Sequence, residues 1–398
     1  MHNVSVIVCT LTIGLLASYL GLALSWRQSA LFIVGTVAGL VLYHAAFGFT
    51  SSWRVFIADR RGAGLRAQMV MLAMTCAVFF PLLAGGTLFG QPLRGSVSPI
   101  GVSVMAGAFM FGIGMQLGGG CASGTLFAVG GGNTRMVVTL LAFITGSLIG
   151  TAHAPWWTAT PAFKPTSLVN ALGPWWMGLG VSLALFAGIA ALTRVAETRR
   201  HGRLDNGLAP TAWISGSVAT SSSAFVRGPW PLVFGAVGLA VVNIATLVIG
   251  GRPWGVTGAF ALWGAKFYNA VGGNVAIWPY WSTPAQTAAL KASVFADVTS
   301  VMDFGIMLGA LLAAMLAGRF APVWRASARS VAAAIVGGLM LGYGARIAYG
   351  CNIGAYFSGI ASGSLHGWLW LVAAFAGNAV GTNLRPLFDL KVERTTVC

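Results

Sequence analysis

Long apolar segments recur along almost the whole of this 398-residue chain and constrain its fold more than any other feature. Because a helix needs about 20 apolar residues to cross the hydrocarbon core of a bilayer, the sequence contains about ten candidate spans. They are residues 4–25, 29–49, 68–90, 99–117, 136–152, 172–193, 230–250, 290–317, 331–348 and 365–383. The sequence therefore predicts an all-α polytopic membrane protein with about ten spanning helices.

The low charge content excludes most other classes of protein. Only 8% of the residues are charged, whereas soluble globular domains have about 25%. The net charge of +16 does not indicate nucleic-acid binding, because the basic residues cluster in short loops. The positive-inside rule places these clusters in the cytoplasm, and ten spans with both termini cytoplasmic satisfy it. The clusters are residues 54–66, 194–203, 319–329 and 385–394.

The distribution of apolar and small residues divides the chain into two halves. We predict an N-terminal half at 1–193, a cytoplasmic linker at 194–229 and a C-terminal half at 230–398. Most of the linker is rich in Ser, Gly and Ala and has no apolar run. Pairs of glycines four residues apart predict close helix packing. These pairs are Gly35/Gly39, Gly114/Gly118, Gly146/Gly150, Gly338/Gly342 and Gly377/Gly381.

An internal repeat is the most informative motif. Residues 107–127, GAFMFGIGMQLGGGCASGTLF, align without gaps with residues 337–357, GGLMLGYGARIAYGCNIGAYF. The shared core is Gly-Cys-x-x-Gly, and the copies lie in the fourth and ninth spans. The copies are five spans apart, and this odd separation inverts one relative to the other, an architecture typical of secondary transporters. We therefore predict two pseudo-symmetric inverted halves, with re-entrant Gly-Cys loops at 118–134 and 349–364 that meet tip to tip.

The repeated cysteines are the main candidate site residues. Cys121 and Cys351 would present thiols and backbone amides at membrane depth, an arrangement that favours an anion. Their motif glycines belong to the same predicted substrate path: Gly120, Gly124, Gly350 and Gly354. The other cysteines have no repeated surroundings and are predicted to be buried apolar residues. Because no CxxC pair or Cys/His cluster occurs, we expect no metal and no cofactor.

Four motifs resemble the YeeE/YedE sulphur-transport family. They read GMQLGGGCASGTLFAVGGGN, GRPWGVTGAFALWGAKF, ADVTSVMDFGIMLGALL and GYGARIAYGCNIGAYFSGIASGSLHGW. The resemblance runs from about Gly35 to Arg385. It implies a permease of the bacterial inner membrane that imports thiosulfate along a narrow path lined by cysteine thiols. It also implies a small cytoplasmic sulphur-carrier protein as a partner. Some relatives have a further cysteine where this chain reads FGFTSSW, so Thr50 or Ser51 would offer a hydroxyl instead.

Several polar residues near the predicted path are secondary candidates. Gln116 and Arg346 are counterparts in the repeat, and Arg346 is interpreted as an outer anion attractor or an interfacial arginine. Lys266 is interpreted in the same two ways, and Asn133 with Arg135 as a guard of the inner mouth. An intramembrane carboxylate suggests function, so Asp297 and Asp303 indicate either proton coupling or a structural partner for Arg or Lys, the interpretation that we favour.

Three hypotheses from different classes remain. The leading one is a thiosulfate permease without enzymatic activity. The second is a membrane sulphurtransferase that uses the same cysteines, which is disfavoured because no base or resolving thiol adjoins either cysteine in sequence. The third is a permease for another small sulphur or selenium species, since thiols and amides suit several soft anions.

Overall fold

The computed structural model describes residues 2–204, 223–322 and 326–392, and that part of the chain is mostly helical. The α-helices are α1 His2–Ala23, α2 Trp26–His44, α3 Phe49–Asp59, α4 Ala63–Gly85, α5 Val102–Gly118, α6 Ala122–Gly130, α7 Thr134–Ala152, α8 Ala154–Thr158, α9 Leu168–Ala171, α10 Trp175–His201, α11 Ser223–Arg227, α12 Leu232–Gly250, α13 Thr257–Ala270, α14 Pro284–Lys291, α15 Val298–Leu316, α16 Ala328–Ile347, α17 Ser358–Ala361 and α18 Leu365–Leu384. Two short antiparallel pairs join β1 Thr87–Leu88 to β2 Gln91–Pro92, and β3 Ile100–Gly101 to β4 Ala162–Phe163.

Within the described residues, nine helical stretches are long and apolar enough to cross a membrane. They are Val4–Ala23, Trp26–Asp59, Ala63–Gly85, Val102–Gly130, Thr134–Ala152, Trp175–His201, Leu232–Gly250, Val298–Leu316 and Ala328–Ala361. The tenth predicted span forms as α18, but it is not among the nine. Its His366, Asn378 and Asn383 make it less apolar than the others. The predicted class, an all-α polytopic membrane protein, is confirmed.

Two of the nine stretches lie at the periphery of the molecule. Only 17% of the apolar window of α1 is buried, and the same fraction holds for α10. Large apolar side chains on both are exposed, for example Leu22 and Leu192. Apolar surface of this extent needs a non-aqueous environment. These helices therefore present side chains suited to lipid, while the core lies between the helices that they flank.

Helix packing in the core depends on glycine. A methyl group on Gly39 of α2 would lie 2.2 Å from the carbonyl oxygen of Ile306 in α15. One on Gly342 of α16 would lie 2.1 Å from the carbonyl oxygen of Phe143 in α7. Only a residue without a β-carbon permits such approaches. The prediction that these glycine pairs pack helices closely is confirmed.

The two copies of the sequence repeat lie against each other. Gly107 near the start of α5 meets Gly344 near the end of α16, and Gly114 near the end of α5 meets Gly337 in the first half of α16. The helices are therefore antiparallel. The two contacts are equivalent, because Gly107 corresponds to Gly337 in the repeat and Gly114 corresponds to Gly344.

The same reciprocity relates other pairs of helices. Helix α5 packs along α18, and its counterpart α16 packs along α7. Helix α2 packs along α15, and its counterpart α12 packs along α4. The peripheral helices follow this pattern too, since α1 contacts α15 and α10 contacts α4. The pattern of neighbours around the first set of helices thus recurs around the second.

The predicted boundary between the halves falls inside a helix. Helix α10 continues to His201, where Gly202 ends it in a left-handed conformation with φ of 68°. The first part of the predicted linker, 194–201, is thus helical, and residues 205–222 of the linker lie outside the described part of the chain. The sequence favoured a linker from residue 194 because basic residues there ended the apolar run, although Arg and Glu are good helix formers.

Candidate functional site

The first Gly-Cys motif forms a break between two helices. Helix α5 ends at Gly118, and Gly119 adopts a φ of 94°. Cys121 is buried and is the N-cap residue of α6, where its Sγ accepts a hydrogen bond from the Gly124 amide at 3.4 Å. The Ser123 hydroxyl lies 3.5 Å from the same sulfur. The thiol therefore sits at the N-terminus of a short buried helix.

The second motif forms a similar break with different helical geometry. Helix α16 ends at Ile347, and Gly350 has a φ of 148°, which other residues rarely adopt. Cys351 is fully buried and precedes a π-helical segment, Asn352–Phe357, which continues into α17. Single-turn π-helical segments often occur at functional sites because they reposition side chains. Both copies thus have the order helix, glycine break, cysteine, short helix.

The two cysteine motifs lie together. Helix α6 contacts the π-helical segment, and Cys121 and Cys351 belong to one buried cluster. The glycines three residues after the two cysteines differ in their surroundings. A methyl group on Gly124 would meet the Cys121 sulfur closely, at 3.3 Å, whereas one on Gly354 would have no neighbour within 4 Å. The open space therefore lies beside the second motif.

Several buried polar atoms around these motifs have no hydrogen-bond partner among the described residues. They include both side-chain atoms of Asn352, the Thr50 hydroxyl and Nε2 of Gln68. All three side chains are buried, and Asn352 directly follows Cys351. A buried polar group without a partner is costly, and each such group needs an explanation. A polar solute that visits the site supplies one.

Gln116 connects the first motif to neighbouring helices. Its Nε2 donates to the carbonyl oxygen of Thr50 at 3.2 Å and to Oδ1 of Asn378. Arg54 donates to its Oε1 at 3.3 Å, and Arg385 donates to its backbone oxygen at 2.7 Å. Gln116 is fully buried. It therefore ties α3, α5 and α18 together beside the candidate site.

The predicted anion attractors are held by other groups. Arg346 donates to the Tyr280 hydroxyl at 2.9 Å, and its guanidinium lies 5.5 Å from the centre of that ring. Lys266 donates to the carbonyl oxygens of Leu290 and Ala292 at 2.6 and 2.7 Å. Partial burial lowers the pKa of Lys266. Both cations thus stabilise the loop that contains Tyr280 and the end of α14.

Most of the other secondary candidates have local structural partners. Asn133 accepts from the Met136 amide as the N-cap of α7, and Ser51 donates to the Gly48 carbonyl at 3.1 Å. Arg135 donates to the carbonyl oxygens of Gly118 and Leu117 at 2.9 and 2.7 Å, which satisfies the end of α5. These residues complete helix ends, a role that their sequence context did not distinguish from a guard of the mouth.

The two carboxylates of the eighth predicted span differ from each other. Asp297 caps α15 by accepting from the Ser300 amide at 2.7 Å, and Arg252 lies 3.8 Å from it. Asp303 is fully buried in α15, and neither of its oxygens has a hydrogen-bond partner among the described residues. The favoured interpretation of Asp303, a structural partner for Arg or Lys, thus finds no such partner in the described part of the chain.

Reasoning from sequence missed Asn352 and Gln68, and a second internal similarity could have found their surroundings. The segment FGFTSSW at 47–53 resembles WGVTGAF at 254–260. These segments begin α3 and α13, which hold equivalent places after α2 and α12. In this alignment Thr50 corresponds to Thr257, which adds a further pair of equivalent residues to those of the repeat.

Two further cysteines contact backbone carbonyl groups. Cys9 and Cys76 are buried and donate to the carbonyl oxygens of Leu308 and Ile360 at 3.9 and 3.7 Å. In the described ranges, no group of three His, Cys, Asp or Glu residues could hold a metal ion. Cys398 lies outside the described residues.

The fold and this buried, thiol-containing site define a polytopic membrane protein of a transporter type. A family model described as sulphur transport matches residues 44–380, so the chain belongs to the sulphur-transport (YeeE/YedE) family. This confirms the resemblance identified from the motifs.

Three curated relatives give further detail. The chain is 26% identical to a thiosulfate transporter, TsuA, of Spirochaeta thermophila over 87% of this chain and 95% of the relative. It is 29% and 30% identical to probable transporters YedE of Escherichia coli and Salmonella typhimurium. Each YedE alignment covers 42% of this chain and only 41% and 43% of the relatives.

Proposed function

We propose that this protein is an inner-membrane permease that imports thiosulfate between the thiols of Cys121 and Cys351. The observation that carries the proposal is the pairing of two buried cysteines, each at the start of a short helix, beside unpartnered polar atoms. The sulphur-transport family and the name of the Spirochaeta relative support the choice of solute. The inner membrane, the cytoplasmic termini and the inverted halves belong to the same proposal.

The chemistry of the site suits transient binding of a dianion. Thiosulfate loses its water in a dry path, so donors must replace that water. A strong permanent cation would retain the anion, whereas conduction requires binding weak enough for release. A neutral thiol is a weak donor, and an amide is a donor without net charge. Arg346 and Lys266 stabilise nearby loops, so the proposed path depends on Cys121, Cys351 and Asn352 and not on fixed cations.

The two halves of the proposed path have the same construction. In each half, two residues separate the cysteine from the next glycine, and a short helical segment begins directly after the cysteine. In the first half, the Gly124 amide donates to the thiol. The antiparallel contact of α5 with α16 supports an inverted relation, in which one loop enters from each side of the membrane. Residues 1–193 and 230–398 are therefore proposed as the two halves, and a small cytoplasmic sulphur carrier as the receiver of the imported anion.

Growth of a thiosulfate-uptake-deficient bacterium on thiosulfate as sole sulphur source tests the proposal. We expect the wild type to restore growth and Cys121→Ala and Cys351→Ala to fail at equal membrane abundance. Cys9→Ala is the matched control, since its buried thiol lies in α1 and should not affect growth. Equal growth with all three variants would contradict the proposed path, and failure of a well-expressed wild type would contradict the proposed solute.

A further inference from the structure

Asp303 is a buried carboxylate whose role the path of thiols does not explain. It is fully buried near the start of the middle third of α15, and its two oxygens lack hydrogen-bond partners among the described residues. Its helix also packs against α6, the short helix that Cys121 caps. An ionised carboxylate in such a place is unfavourable without a partner, whereas a protonated one carries no charge. The site therefore favours a carboxyl group that holds a proton.

The groups around Asp303 do not offer it a fixed counter-charge. Asp297 on the same helix is near enough to act on it, and that carboxylate pairs with Arg252. Lys266 of α13 is committed to two backbone oxygens. The other titratable or charged groups on elements packed against α15 are Cys9 and Tyr19 of α1, Arg27, Tyr43 and His44 of α2, Cys121 before α6, Tyr268 of α13 and Arg227 of α11. None of these forms an ion pair with Asp303 in the part of the chain that the structure describes.

The start of α13, which packs against α15, has open space. A methyl group on Gly258 would find its nearest neighbour, Thr299 of α15, only at 3.8 Å, and one on Gly255 would find none within 4 Å. Thr299 lies one helical turn before Asp303, so both face the same side of α15. One turn after Asp303, the backbone of Met307 lies against Gly130 at the end of α6. The turns of α15 that flank Asp303 thus pack against α13 and α6.

We propose that Asp303 is a proton-binding site that couples thiosulfate import to the movement of one proton in the same direction. This inference rests on the proposed function. An ionised Asp303 on the helix that packs against α6 repels a dianion in the proposed path, so thiosulfate passes only while the carboxyl group is protonated. The proton binds from the outer side and leaves to the cytoplasm after the anion has passed. One proton reduces the charge moved inward from two negative charges to one, which halves the opposition from a membrane potential that is negative inside.

Purified protein in lipid vesicles, with the membrane potential clamped to zero by potassium and valinomycin, provides the test. With one proton per thiosulfate, the accumulation ratio should rise about tenfold for each pH unit by which the outside is more acidic. Addition of thiosulfate should also acidify the lumen, reported by a trapped dye. In Asp303→Asn, which resembles the protonated carboxyl group, exchange of labelled for unlabelled thiosulfate should persist, and the ratio should stay at about one.

The outcomes separate this proposal from the proposed function. Wild-type vesicles that take up no thiosulfate would contradict the proposed function itself. Uptake that only equilibrates at every pH gradient, or a coupled ratio retained by Asp303→Asn, would overturn the proton site. Loss of exchange in a folded Asp303→Asn protein would also overturn it and make Asp303 a binding or structural residue. Asp389→Asn is the matched control, since this exposed carboxylate pairs with Arg329 and should leave coupling unchanged.

Discussion

At the scale of single residues, two buried asparagines differ in their hydrogen bonding. Asn352, next to Cys351, has no side-chain partner among the described residues, whereas the buried amide of Asn243 donates to Ser358 at 3.1 Å and accepts from the Trp254 amide at 2.9 Å. A structural amide has its hydrogen bonds satisfied within the fold. The side chain of Asn352 therefore offers a donor and an acceptor for the proposed solute.

Replacing the two amides should separate stability from transport. In Asn352→Leu, removal of unpartnered atoms should leave the thermal unfolding temperature unchanged or raised, while uptake falls about tenfold for one lost hydrogen bond. In Asn243→Leu, partners are left unsatisfied, so the protein should lose about 1–3 kcal/mol of stability. Thermal unfolding and initial uptake rates of both variants check this. A destabilised Asn352→Leu protein with normal uptake would show that the amide is structural.

The glycines of the second motif should respond differently to alanine. Gly350→Ala places a β-carbon at a φ of 148° and 2.8 Å from the Ala355 amide nitrogen, so it should cost about 1–3 kcal/mol of stability. Gly354→Ala meets no neighbour within 4 Å and should fold normally, while its methyl group narrows the space beside Cys351 and slows uptake. We therefore expect the unfolding temperature to fall in Gly350→Ala and the uptake rate to fall in Gly354→Ala. Normal uptake by a stable Gly354→Ala protein would place the path elsewhere.

Residue roles could be predicted from the sequence only where a pattern distinguished them. The repeat identified Cys121 and Cys351 because identical surroundings occur twice. Asn352 and Gln68 escaped, since a single amide in an apolar segment has no periodic signal and its lack of partners is visible only in three dimensions. The site roles themselves stay predictions until the variants are measured.

At the scale of helices, equivalent positions of the two repeat copies require glycine, because the neighbouring backbone is equally close to both. A methyl group on Gly112 would lie 2.1 Å from the Ala374 carbonyl oxygen, just as one on Gly342 would lie 2.1 Å from that of Phe143. Such approaches let backbones pack directly in a membrane protein. The two interfaces, α5 with α18 and α16 with α7, are therefore expected to contribute similarly to stability.

Gly112→Ala and Gly342→Ala test that equivalence. Each should force its helix pair apart and destabilise the protein by about 1–3 kcal/mol, the usual cost of overpacking. Gly188→Ala in the peripheral helix α10 is the control, because a methyl group there has no neighbour within 4 Å. Unfolding temperatures in detergent measure all three. A large loss for one core variant and none for the other would contradict the reciprocal packing.

Most helices were predictable because hydropathy and length determine whether a segment can span a bilayer. Breaks within them were harder to place. The predicted span 290–317 is divided into the end of α14 and the helix α15, since the polar capping residues Ser293 and Asp297 interrupt it. The π-helical geometry after Cys351 had no signal in the sequence, because it depends on packing against Trp370 and neighbouring side chains.

At the scale of the whole molecule, the proposed topology assigns opposite sides to two loops. Basic residues near Arg60 should face the cytoplasm, and the segment around Ala159 should face outward. In a Cys398→Ser background, whose described cysteines are all buried, we expect a membrane-impermeant maleimide to label Ala159→Cys in intact cells and Arg60→Cys only after permeabilisation. Labelling of both in intact cells, or of neither loop on its expected side, would contradict the topology.

The passage of thiosulfate between Cys121 and Cys351 can be measured as uptake of labelled thiosulfate by purified protein in vesicles. We expect saturable uptake by the wild type, a fall of about tenfold or more in Cys121→Ser and Cys351→Ser, and wild-type rates in Cys9→Ser. Excess unlabelled sulfite or selenium compounds would compete if the solute class is broader. Undiminished uptake by a folded double variant without both thiols would show that thiosulfate does not pass between them.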